Sequence, residues 1–117
     1  MTVENARGVE TVTLDGKRFV ILPEAEYCRL TGEPPQPEMP AADAAGNYPA
    51  AEAMAVSLAR DVLRARRRLG LTQAELARRA GIRPETVHRL ETAKHVPNLA
   101  TMTKIDQALK AAEGGIL

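Results

Sequence analysis

Between Leu71 and Glu91 the chain carries two short stretches of helical periodicity, one on each side of Gly81. Thr72 is a good N-cap, and Glu75 three residues on completes a capping box, so the first helix begins after Thr72. Gly81 ends it after only about eight residues. The second begins at Pro84, which is tolerated at a first helical position, and runs through Val87 and Leu90 to about Thr92. Helices this short are marginal alone in water, so each must bury its apolar stripe against a neighbour. Small Ala77, the turn at Gly81, and apolar Ile82, Val87 and Leu90 let the two cross closely at a steep angle.

The flanking sequence supplies the neighbours. From about Ala50 the pattern is helical, with Leu58, Val62, Leu63 and Leu69 near one face of a helix that ends at Gly70. After a turn at Val96-Pro97, Asn98 is a plausible N-cap for a fourth helix burying Leu99, Met102, Ile105 and Leu109. Gly114-Gly115 is its natural stop. The expectation for residues 50–117 is therefore a compact all-α domain.

Residues 1–32 read differently. Val9 to Leu14 is β-branched and roughly alternating, Asp15-Gly16 suits a two-residue hairpin turn, and Phe19 to Leu22 is an apolar return strand. Pro23 presets a short helix that carries Glu24, Glu26 and Tyr27 and ends at Gly32. A lone hairpin is marginal in water, so it requires a cover: a second copy of the chain, another protein, or the helical domain. Between the two regions, residues 33–49 hold five of the eight prolines and almost no large aliphatics. That composition predicts a linker, extended where the prolines cluster and flexible beyond. The predicted fold is mainly α: a four- to five-helix domain preceded by a small N-terminal β-hairpin and short helix.

Composition narrows the chemistry. The one cysteine, Cys28, excludes an internal disulfide framework, and with only His88 and His95 no metal centre is expected. No triad or phosphate-cradling glycine loop is present, so neither enzyme activity nor a cofactor is expected. No apolar run approaches a membrane span and the N-terminus lacks a signal-peptide pattern, which together predict a cytoplasmic protein without a membrane partner. The net charge of +1 hides a division: residues 1–49 carry four Lys/Arg against eight Asp/Glu, and residues 50–117 carry twelve against seven. A basic half suggests an acidic partner, nucleic acid being the commonest.

Two short helices joined at Gly81 make a helix-turn-helix, whose second helix can enter the DNA major groove. Leu71-Thr72-Gln73-Ala74-Glu75-Leu76-Ala77-Arg78-Arg79-Ala80-Gly81-Ile82, then Thr86-Val87-His88-Arg89-Leu90-Glu91, with Pro97, Leu99, Thr101 and Lys104-Ile105, resembles the Cro/C1-type (XRE-like) family across residues 58–110. That resemblance implies sequence-specific binding of double-stranded DNA, usually by a homodimer on a palindromic operator. It implies that Gln73 hydrogen-bonds a DNA phosphate, and that Lys94 and His95 lie near the backbone. Arg83, Pro84, Glu85, His88 and Arg89 would face outward from the recognition helix, with Arg89 the best candidate for a bidentate guanine contact. Arg83 suits a base or a phosphate, and Glu85 a cytosine amine. The family usually has glycine where this chain has Ala93. It also often has an ion pair at the positions of Arg66 and Glu91, which reads as scaffold. Arg78 and Arg79 read first as a solvated face, and Arg64, Arg67 and Arg68 as a basic run within reach of phosphate.

Leu22, Pro23, Tyr27 and Leu30, within GKRFVILPEAEYCRL, resemble a segment of Phd/YefM-like antitoxins, although in that family DNA binding is N-terminal. The resemblance implies an antitoxin that represses its own operon and neutralises a cognate toxin, with Phe19, Ile21, Leu22, Tyr27 and Leu30 as partner-binding anchors. The alternative is a plain dimeric repressor whose hairpin serves dimerisation.

Overall fold

The computed structural model describes residues 2–6, 9–94 and 96–114. In chain order the elements are β1 (Thr2–Ala6), β2 (Val9–Leu14), β3 (Lys17–Ile21), α1 (Glu24–Thr31), α2 (Ala50–Arg68), α3 (Gln73–Ala80), α4 (Pro84–Glu91) and α5 (Leu99–Gly114). They fall into two compact units, Met1–Pro35 and Gln36–Leu117.

The first unit is an antiparallel sheet of order β1-β2-β3 followed by α1. Asp15 and Gly16 both take positive φ, 50° and 76°, the conformation a two-residue hairpin of this twist requires. The pairing runs Leu14 with Lys17, Val12 with Phe19 and Glu10 with Ile21. Sequence patterning anticipated β2 and β3 but not β1, which pairs Thr2 with Thr13 and Val3 with Val12. The extra strand makes β2 central, which accounts for the burial of Val12 while Phe19, Val20 and Ile21 stay about half exposed on an edge. Leu22 lies beyond the end of β3 and is half-buried. Helix α1 starts after Pro23 and closes at left-handed Gly32, whose N–H donates to the Cys28 carbonyl. Glu26 and Arg29 form an exposed ion pair along α1, and the hydrogen bond from Arg29 holds the Glu26 carboxyl below its ordinary range.

In the second unit, the start of the proline-rich stretch, expected as a linker extended where the prolines cluster and flexible beyond, is bonded to α2. Arg60 Nε donates to the Pro37 carbonyl at 2.8 Å and Arg64 Nε to Gln36 Oε1 at 2.7 Å. Further on, Asp43 Oδ1 accepts from the backbone N–H of Ala45 and of Asn47, closing a tight turn. The helices enclose a core of Val62, Leu76, Ala77, Ala80, Val87, Leu90, Ile105 and Ala108, with Leu58, Ile82, Met102 and Leu109 packed around it. Leu99, expected in that core, is 83% exposed, because it is the first residue of α5 and precedes the part of the helix that packs inward. No aromatic residue follows Tyr48, so this interior is aliphatic throughout.

Helix ends are set by local chemistry. The Thr72 hydroxyl accepts from the Glu75 N–H at 3.0 Å and donates to the Glu75 carboxylate at 3.1 Å, opening α3. Asn98 Oδ1 accepts from the Thr101 N–H, opening α5. Helices α2, α3 and α4 end in one shared pattern. The residue with left-handed backbone (Gly70, Gly81, Ala93) donates to the carbonyl three back, and the next residue (Leu71, Ile82, Lys94) donates to the carbonyl five back. This double bond pattern is the Schellman motif, which satisfies carbonyls that would otherwise lack partners.

Candidate nucleic-acid interface

Arg83 takes the N-cap position of α4 with extended backbone, and Pro84 follows as its first residue. The 3.6-residue period then sorts the helix: Val87 and Leu90 are buried, Thr86 is half-buried, and Arg83, Pro84, Glu85, His88 and Arg89 are exposed. The Schellman turn after α4 ties the Lys94 N–H to the Arg89 carbonyl at 3.2 Å, which brings exposed Lys94 back beside the helix end. Gln73, the first residue of α3, faces the same space. Gln73, Pro84, Glu85, His88, Arg89 and Lys94 line one open concavity, and Arg83, Glu85, Thr86 and Arg89 line another beside it. Seven of the eight residues expected at a DNA interface are thus brought together; the eighth, His95, lies outside the described residues.

Within this surface, Arg83, Arg89 and Lys94 form no ion pair among the described residues, so their charge is available to an anion. On α2, Arg68 is paired with Glu113 at the surface, while Arg64 donates to the neutral amide oxygen of Gln36 and keeps its charge. Arg78 and Arg79 are exposed on α3.

Beneath the surface sits a fully buried ion pair. Arg66 Nε and Nη2 each donate to the Glu91 carboxylate at 2.7 Å, and Arg66 Nη1 donates to the Leu71 carbonyl at 2.9 Å. The pair joins α2 to α4, as the sequence suggested. Sequence reasoning missed a third member: Gln73 Nε2 donates to Glu91 Oε1 at 3.0 Å. Residues 73 and 91 lie at the start of α3 and the end of α4, and no periodicity in the sequence announces that their side chains meet.

The five candidate partner-binding residues all lie in the N-terminal unit. Phe19 and Ile21 share one face of β3 at about half exposure, Leu30 is 62% exposed on α1, and Leu22 and Tyr27 are half-buried. Because Leu14 and Lys17 close a two-residue turn, Lys17, Phe19 and Ile21 bond toward β2 while Arg18 and Val20 direct their main-chain groups to the free edge. Cys28 is half-buried.

Residues 62–113 match the helix-turn-helix family model, of the Cro/C1-type, XRE-like kind, a class of DNA-binding transcription regulators. The match spans α3 and α4, the whole concave surface and most of the core that supports it. No curated protein matches the chain. Among the described residues no helix is long and apolar enough to cross a membrane, and no group of His, Cys, Asp and Glu is placed to hold a metal ion.

Proposed function

We propose that this chain is a sequence-specific transcriptional regulator that binds operator DNA as a homodimer and serves as the antitoxin of a toxin–antitoxin pair, repressing its own operon. The observation that carries the DNA-binding reading is α4 itself: Val87 and Leu90 anchor it, and Arg83, Glu85, His88 and Arg89 stand outward beside Gln73 and Lys94. Two copies would set their α4 helices in successive major grooves, roughly 34–36 Å apart. Gln73, Lys94 and Arg83 position the protein on phosphates, and Arg89 reads a base edge.

The antitoxin role is supported by the free edge of β3. An apolar edge strand with unpaired main-chain groups is a template for strand addition by another chain. Phe19, Ile21, Leu22, Tyr27 and Leu30 would anchor the partner. The same edge equally suits a second copy of this chain, which gives the plain dimeric repressor as the second reading.

The test is a binding titration of the DNA upstream of the chain's own coding sequence against random duplexes at one salt concentration. Preference for the upstream DNA by about a thousandfold supports specific regulation; equal affinity for all duplexes rejects it. Co-expression with the product of the adjacent gene separates the two readings of the hairpin, since an antitoxin forms a stable complex and a plain repressor does not.

A further inference from the structure

Glu91 is fully buried, and its two carboxylate oxygens accept three hydrogen bonds: two from Arg66 and one from Gln73. A buried ion pair requires further hydrogen bonds to satisfy its remaining lone pairs, and Gln73 provides one. That donor also reaches the surface. Gln73 is the first residue of α3, half-buried, and lines the concavity with Arg89 and Lys94. An amide nitrogen carries two hydrogens that diverge within one plane. With one spent on the acid, the Gln73 amide nitrogen is held against Glu91 and its second N–H is directed away from that carboxylate. No other described residue accepts from it. A side chain with three rotatable bonds is thereby restrained at the rim of the cationic surface, beside a helix N-terminus where anions are favoured.

We infer that Glu91, locked by Arg66, is a positioning residue for DNA: it orients the Gln73 amide so that the free N–H meets a phosphate oxygen. The inference rests on the DNA-binding reading above and assigns the ion pair a role beyond joining α2 to α4. An unanchored Gln73 would have to lose its rotamer freedom on binding and give up the orientations that turn its carbonyl oxygen outward.

The experiment is a double-mutant cycle on the full chain with a short random-sequence duplex at low salt, because a phosphate contact is independent of sequence. Replacing both partners by apolar residues, Arg66→Met with Glu91→Leu, removes the acid without stranding a charge. Loss of the oriented bond is expected to weaken binding about tenfold in this background, and about tenfold for Gln73→Ala in the wild type. Adding Gln73→Ala to the apolar pair should then cost less than about twofold. An undiminished tenfold cost there, or full affinity in the apolar pair, overturns the inference while leaving DNA binding intact. Failure of the unmodified chain to bind any duplex overturns the DNA-binding reading as well.

Nuclear magnetic resonance of the unmodified chain gives a second measurement that does not depend on the variants folding. One Gln73 side-chain amide proton should exchange slowly in the free protein, and its geminal partner should be the one that shifts when duplex is added. Equally rapid solvent exchange of both protons, or a duplex-induced shift confined to the slowly exchanging one, would overturn the inference.

Discussion

Ala93 ends α4 in the left-handed position that Gly81 holds at the end of α3, with φ of 59° against 70°. Both turns carry the same pair of backbone bonds, but only one of them is built on a residue without a Cβ. The left-handed region costs a non-glycine residue about 1–2 kcal/mol. Part of that is offset because glycine loses more freedom on folding. Ala93→Gly is therefore expected to stabilise the helical unit by about 0.5–1 kcal/mol, raising the midpoint of thermal unfolding followed by far-ultraviolet circular dichroism. Nothing lies within 4 Å of a Cβ built on Gly81, so Gly81→Ala should destabilise through backbone strain alone. A lowered midpoint for Ala93→Gly would contradict this account.

Arg89 and Lys94 are joined through the backbone at the end of α4, yet they are expected to behave differently on DNA. Arg89→Ala should cost about 1–3 kcal/mol on the operator and relax preference at one base position. Lys94→Ala should weaken all duplexes alike and reduce the salt slope of binding by about 1. Titrations across salt and across operator variants distinguish them. Uniform weakening by Arg89→Ala would make that residue a phosphate contact.

For the buried pair, the order of substitutions decides the outcome. Glu91→Ala leaves the Arg66 guanidinium fully buried without its carboxylate, and should destabilise by about 3–5 kcal/mol in urea unfolding. Arg66→Met together with Glu91→Leu should fall far short of that loss. Equal destabilisation by both would show that the charges themselves, and not their mismatch, set the stability of this unit.

On the N-terminal unit, Phe19→Asp places a charge on the exposed face of the edge strand. The expected result is loss of the complex with the adjacent gene product at unchanged DNA affinity or, where the hairpin joins two copies, loss of self-association together with weaker operator binding, with helix content unchanged in both cases. Retention of every such complex in size-exclusion chromatography would remove Phe19 from the interface.

What the sequence disclosed followed from local rules. Thr72, Gly81, Pro84 and Asn98 mark helix ends through their own side chains or backbone freedom, and Asp15-Gly16 fixes its turn in the same way. The outward set on α4 followed from the burial of Val87 and Leu90 together with the resemblance to a helix-turn-helix. What stayed hidden depends on pairing at a distance. Strand β1 includes polar Glu4 and Asn5, and it is a strand because β2 offers it an edge. The capture of Gln36 and Pro37 depends on Arg60 and Arg64 standing one turn apart on α2. Leu99 satisfied a helical period but begins its helix too early to reach the interior.

Ala77 and Ala80 line the inner face of α3 where other helices supply Val87, Leu90 and Ile105. Side chains this small bring helix axes close and leave almost nothing to trim, so the domain's vulnerability is to growth. Ala77 is fully buried in one cluster with Val87 and Leu90 of α4 and Ile105 of α5, so added methylenes there have to displace packed neighbours. Because α3 and α4 share that cluster, a change that never touches the surface can shift the face α4 offers to solvent.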